Sequence, residues 1–390
     1  MLGTVGCGDA STPATPPTAT FRDSAGVTLV DNPAEAAAPL PWSVGDTPLV
    51  RIGVLEGPEA EQFSLVRDSH RLPDGRIAVV DMRAGEVRFF RSDGTHQTTW
   101  GRSGEGPGEF RGPTRIVPWD GDSLAVWDDP LRRLSVFDAS GSFGRSVPFT
   151  GLADLPRLRF EGRMDDGDLV ATVSDFLGSD VESGRIRPGL RGVVMGPGGE
   201  VKAELGTVPG REGLLELGEG SVTVYGLPFA RRGVAGAVGG RVVLAATDHW
   251  TLPLHRPDGT LERIVRVALH PEPVTPDAVD AFVEHAVSQA TEGARAGLRR
   301  ALERAPAPDS MPAFETILPA PGGGFWIQAF RPPHHEGPGR WLVFDPEGRL
   351  LGSVITPAGF VVHQVGADFI LGTTTDELGV PRVELRPLHR

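Results

Sequence analysis

The chain has 390 residues, a formal net charge of −13 and 39% hydrophobic residues, enough for a substantial core. That acidic balance argues against a nucleic-acid partner, which would want a basic stripe, and no stretch reaches the ~20 apolar residues of a membrane-crossing helix. Gly (52) and Pro (36) are abundant without a collagen period, which predicts many turns.

At the N-terminus, Cys7 is the only cysteine, so no intrachain disulfide can form. "TVGC" followed by "GDASTPATPPTAT" resembles a bacterial lipoprotein cleavage box and its flexible tether, which makes Cys7 the candidate lipidation site and residues 1–20 a shortened signal and spacer. Only six residues precede Cys7, fewer than a charged and then apolar leader needs.

Next come repeats. "HRLPDGRIAVVDMRAGEVRFFRSDGTHQTTWG" (70–101) reads as short strands broken by Asp-Gly and related turns, a strong hairpin signal. "RIVPWDGDSLAVWDDPLRRLSVFDASGSFGRSV" repeats the form. The second-strand signal recurs in "GRIAVVD" (75–81), "DSLAVWD" (122–128), "GDLVATVSD" (167–175), "GRVVLAATD" (240–248), "GGFWIQAF" (323–330) and "ADFILGTTTD" (367–376), six copies in all. Four-stranded units of about 40–50 residues repeated in this way predict an all-β propeller, whose small sheets bury one another. The last unit offers three strands. The missing outer strand is expected at residues 48–53, because "IGVLEGPEAEQF" (52–63) partly copies the unit link "WGRSGEGPGEF" (100–110). An open edge would thereby be paired.

With its six strand signals, its Asp-Gly turns and "GEGPGEF", the sequence resembles NHL-type six-bladed β-propellers, and more narrowly bacterial secreted propeller lipoproteins of unassigned role. The resemblance covers residues 48–390 and implies a single propeller over 21–390. One segment breaks the β rhythm between the fourth and fifth units. "TPDAVDAFVEHAVSQATEGARAGLRRALERA" (275–305) has Thr275 as N-cap and Pro276 at the first helical position, and Gly293 and Gly297 predict a break midway.

In the arrangement that resemblance implies, unit-to-unit links and the turns between second and third strands share one face. The long insertions 176–192, 208–229, 275–305 and 331–339 all fall there, while the other turns stay tight. Long loops of this kind carry function or are disordered, so this face is the expected binding face.

Candidate groups on it are of three kinds. Asp81, Asp128, Asp175 and Asp248 end second strands, and several carboxylates at a channel mouth can hold a calcium ion. The alternative is that each caps its own turn. Arg67, Arg115, Arg159 and Arg231 fall in or near first strands, where they either grip an anion or pair with the Asp ring. His334 and His335 sit in a proline-flanked loop, and His249 and Trp250 follow Asp248. No GxSxG, HExxH, CxxC or Walker pattern is present. The expectation is therefore a monomeric cell-envelope protein, membrane-associated only through a lipid anchor, that binds a small molecule or an envelope protein. A metal-dependent hydrolase or lyase, as in propeller lactonases, is the alternative, and a structural scaffold the third.

Overall fold

The computed structural model describes residues 18–152, 157–175, 181–218, 221–333, 335 and 337–390. Its hairpins follow from local chemistry. In the turns at 74–76, 93–95, 138–140 and 258–260, the aspartate carboxylate accepts the backbone N–H two residues on. That side chain thus closes the turn before any tertiary contact forms.

The hairpins build small antiparallel sheets that succeed one another along the chain. The first holds Val66–Arg71, Ile77–Asp81, Glu86–Phe90 and His96–Trp100, and the second Pro113–Pro118, Leu124–Asp128, Arg133–Phe137 and Phe143–Pro148. The third holds Leu158–Arg163, Leu169–Ser174, Gly189–Met195 and Val201–Pro209. Gly233–Val238, Arg241–Ala246, Thr251–His255 and Leu261–Val267 make the body of the fourth. Phe314–Pro319, Phe325–Ala329, Gly339–Phe344 and Leu350–Thr356 make the fifth. The sixth holds Val361–Val365, Phe369–Thr375 and Pro381–His389, and Val50–Ile52 from near the N-terminus pairs antiparallel with the last of these.

The core is divided into layers between consecutive sheets. Phe89, Trp100 and Phe110 pack with Ile116 and Val126 between the first and second. Trp127, Phe149 and Phe160 lie between the second and third, Val194 and Leu244 between the third and fourth, and Leu252 and Phe325 between the fourth and fifth. Trp341 and Ile370 join the fifth to the sixth, and Phe90 and Leu371 join the sixth back to the first. The sheets are therefore arranged as in a β-propeller. The second strands are covered on both sides, and every residue of Ile77–Asp81 and Leu124–Asp128 is buried. This explains why they read as continuous apolar runs rather than alternating ones.

The glycine-rich link 101–110 is a structural part. Gly101 takes φ +78°, and a Cβ there would meet the Phe110 ring at 2.3 Å. The fully buried Phe110 and the buried Phe63 of the partial copy each plug the seam ahead of their sheet. Arg133 donates to the carbonyls of Gly106 and Glu109, as Arg88 does to those of Ala60 and Gln62.

Three features depart from the expected plan. A hairpin, Thr20–Ser24 and Val27–Asn32, extends the fourth sheet, with Val27–Asn32 running parallel to Leu261–Val267. Insertions 176–192 and 208–229 fold together into a three-stranded sheet of Gly184–Ile186, Gly213–Gly218 and Ser221–Gly226. The helical segment forms α1 (Pro276–Gln289) and α2 (Glu292–Arg304), and Thr275 caps α1 by accepting from the Ala278 N–H at 3.2 Å. The break falls at the extended Ala290 and Thr291, and both Gly293 and Gly297 lie inside α2. Their missing side chains lower helix propensity, but the break comes before them, where the backbone leaves the helical conformation between the two helices.

Candidate ligand cavity on the insertion-bearing face

The insertions converge. The three-stranded sheet touches α2 through Ser221–Gly226, and α1 reaches the body through Phe282, whose ring lies 5.4 Å from that of Phe229. Phe229 in turn meets Phe330 edge-on at 6.3 Å. Between these segments lies a cavity of about 440 Å³. Its apolar wall comes from Leu227, Phe229, Phe282, Phe314 and Phe330, and its charged lining is Arg211, Arg232, Arg331 and Glu315. Three arginines thus face one glutamate on a chain whose net charge is −13. Phe229 is fully buried at φ +50°, the left-handed region a bulky side chain rarely enters. Such strain persists only where the surroundings enforce it, and it concentrates at functional sites.

The polar groups of the cavity are held from the framework. Arg232 precedes the first strand of the fourth sheet. Its backbone N–H donates to the Thr247 hydroxyl, and its guanidinium donates to the Glu315 carbonyl at 2.7 Å. Burial pulls Arg232 below the usual guanidinium range. The nearby carboxylates of Glu315 and Glu161 oppose the fall, while the charges of Arg211 and Arg159 add to it. Burial likewise pushes the Glu315 carboxyl up, partly offset by the Arg331 N–H that donates to it at 2.7 Å and by the charges of Arg232 and Arg331.

Beside the cavity, Glu212 is buried and binds Arg231 and Arg185, each at 2.7 Å. Asp248 takes both ends of the Arg187 guanidinium, at 2.8 and 2.6 Å. Burial raises both acids, but these arginines outweigh it and hold them below the usual carboxylate range. The network fastens the small sheet to the fourth.

The sequence-derived candidates separate accordingly. Asp81 accepts the N–H groups of Ser64, Leu65 and Ala84, and Asp128 those of Arg111, Gly112 and Leu131. Both are fully buried, so their oxygens are taken up by their own links and turns. Asp175 is exposed beside Gly189, and Asp248 is ion-paired. The four aspartates do not converge. Among the described residues no three His, Cys, Asp or Glu side chains gather in a metal-holding cluster. Among the described residues the four aspartates form no joint carboxylate ring: Asp81 and Asp128 anchor their own links and turns, Asp248 is ion-paired and Asp175 is exposed.

Arg67 is exposed with its Nε near the Met82 sulfur, and Arg115 donates to the Glu161 carbonyl. Arg231 is consumed by Glu212 and Asp248, while its neighbour Arg232 lines the cavity. His249 is exposed, and Trp250 is buried against Phe314 in the core, its rings 5.6 Å apart. His335 is exposed. His334 and Cys7 lie outside the described residues.

A second polar cluster, absent from the sequence reading, sits where the first strands of the first, second and sixth sheets meet. Asp68 accepts the N–H groups of Ser69 and, across the seam, Ile116, at 2.9 and 3.0 Å. The hydroxyl of Ser69 and Nδ1 of His363 are 2.8 Å apart, and Gln364 accepts from the Arg71 N–H. Asp68, His70 and His363 each keep some surface open yet are surrounded by protein. Burial pushes Asp68 up to about 6 and draws His70 and His363 down to about 4.

No helix among the described residues is long and apolar enough to cross a membrane. No protein-family model matches the chain. No curated protein matches it in sequence. Solved structures do. A protein described as exported, from Bacteroides fragilis, aligns at TM-score 0.52 with 10% identity over 93% of this chain and 99% of its own. A member of the DUF4221 family from Bacteroides vulgatus aligns at TM-score 0.50 with 9% identity over 90% and 99%. Virginiamycin B lyase from Staphylococcus aureus aligns at 0.41 with 9% identity over 90% and 99%, too distant a likeness to carry function. The chain is similar in fold to the exported protein and the DUF4221 protein.

Proposed function

We propose that residues 21–390 form one six-bladed, NHL-type β-propeller of the cell envelope, tethered through Cys7, that binds a small molecule where the insertions converge. The observation that carries this reading is the cavity itself. Residues from the 208–229 insertion, from α1 and from the 331–339 loop close around about 440 Å³, a volume in the range of ligand sites with apolar walls and few polar groups. Were the insertions mere drift at a tolerant face, they would have no reason to meet around a lined space. A metal-dependent hydrolase would need carboxylates brought together, and Asp81 and Asp128 are instead spent on backbone N–H groups.

The test is a fragment screen of mixed charge by ligand-observed NMR, repeated on Ala230→Trp, which places an indole in the cavity. Fragments should bind the parent and lose binding in the variant. A pure scaffold predicts no fragment binding, and binding untouched by Ala230→Trp places the site elsewhere.

A further inference from the structure

Arg232 is an anomaly among the arginines of this face. Arg185, Arg187 and Arg231 each lie within 4 Å of a carboxylate oxygen, on Glu212 or Asp248. Arg232, Arg211, Arg331 and Arg159 make no ion pair with any described residue, although Arg232 is drawn well out of water. Its guanidinium is committed at one nitrogen to the Glu315 carbonyl, and the Glu315 carboxylate is turned to the Arg331 N–H. Arg331 Nη1 donates to the Gly337 carbonyl. Arg211 is exposed at the rim beside Gly226. Withdrawing a cation from water is costly unless an anion compensates it. Here Glu315 and Glu161 compensate Arg232 only in part, two further cations, Arg211 and Arg159, stand within electrostatic reach of it, and the facing wall is aromatic.

We infer that the cavity takes an organic anion with a rigid apolar body, its carboxylate held by Arg232 and Arg211 and its rings lying against Phe229, Phe282 and Phe330. This rests on the cavity being the binding site and adds the chemical class of the ligand. With three lining arginines against the single Glu315, the cavity carries an excess of two positive charges, and one carboxylate head meets Arg232 and Arg211, the two whose guanidinium groups it can reach from the apolar wall. The body must be flat or branched, because Phe229 and Phe330 stand edge to face across the apolar side. A cation would meet three arginines, and a bare inorganic ion would leave the aromatic wall wet.

The experiment compares biphenyl-4-acetate, its neutral isostere biphenyl-4-acetamide and inorganic phosphate by isothermal titration on the full chain. The carboxylate should bind at least about tenfold more tightly than the amide, the value of a charge-assisted contact. Phosphate alone should show no competing heat. Arg232→Gln should reduce the acid-to-amide ratio to near one. Arg211→Gln, an exposed position whose loss does not threaten folding, should reduce it several-fold. Equal affinity for acid and amide, with Ala230→Trp abolishing both, overturns the anion inference while the cavity stands. Binding that survives Ala230→Trp, or no binding of either probe, overturns both. Phosphate binding as tightly as the organic acid also overturns the inference, because the aromatic wall would then contribute nothing.

Discussion

Asp128 offers the sharpest separation between a metal ligand and a turn anchor. Its side chain accepts from Arg111 at 2.7 Å, Gly112 at 3.2 Å and Leu131 at 3.0 Å, and it is fully buried. It thereby ties the link entering the second sheet to the turn after its own strand. Asp128→Ala strands three enclosed N–H groups at about 1–3 kcal/mol each. Some will find water as the link relaxes, so the expected loss is on the order of 3–5 kcal/mol. Asp128→Asn keeps one acceptor oxygen and sets an amide NH₂ against the remaining N–H groups, for an intermediate loss of about 1–3 kcal/mol. Urea unfolding followed by tryptophan fluorescence measures both, in calcium and in chelator. The same graded loss is expected in each buffer. A loss below about 1 kcal/mol for Asp128→Ala, or one that appears only with calcium present, would refute the turn-anchor account.

Two further outcomes are expected. Asp68, raised to about 6, favours the folded state at low pH, and that contribution disappears as pH climbs from about 4 to about 6. His70 and His363, lowered to about 4, act oppositely, because the unfolded chain binds their protons first as pH falls below 6.5. Within this cluster, two histidines against one aspartate leave a net uptake of about one proton on unfolding between pH 6 and 4, or about 1.4 kcal/mol of lost stability per pH unit from these three groups. Asp68→Asn should steepen the measured loss of stability between pH 6 and 4 by about 1.4 kcal/mol per pH unit in urea titrations at stepped pH, and an unchanged slope contradicts the assignment. Glu212→Gln leaves Arg185 and Arg231 without their shared carboxylate. Since these arginines are partly solvated, the expected cost is about 1–3 kcal/mol, felt locally as faster amide exchange over Gly213–Gly226. Unchanged exchange there would show that the network does not hold the small sheet.

Much of the ring was legible because its signals are local. Asp-Gly turns and apolar second strands declare themselves within about ten residues, and the copied link at 52–63 pointed to Val50–Ile52 as the strand that pairs with Pro381–His389. The Thr20–Ser24 and Val27–Asn32 hairpin did not declare itself, because its parallel pairing with Leu261–Val267 joins residues far apart in the chain. The small sheet was hidden because its strands come from two separate insertions. For the candidate cavity, its lining segments stood out in the sequence as insertions, but its lining arginine did not. Arg231 and Arg232 are adjacent, and a register difference of one residue sends the first into Glu212 and Asp248 and the second into the cavity. Asp68, His70 and His363 carry no motif, and only the meeting of the first and sixth sheets reveals them.

The most direct test of the central claim is a crystal structure of the protein soaked with biphenyl-4-acetate. The account predicts the carboxylate within hydrogen-bond distance of the Arg232 guanidinium and the rings against Phe229 and Phe330. An empty cavity at saturating ligand, or the compound bound elsewhere with Arg232 untouched, would contradict it.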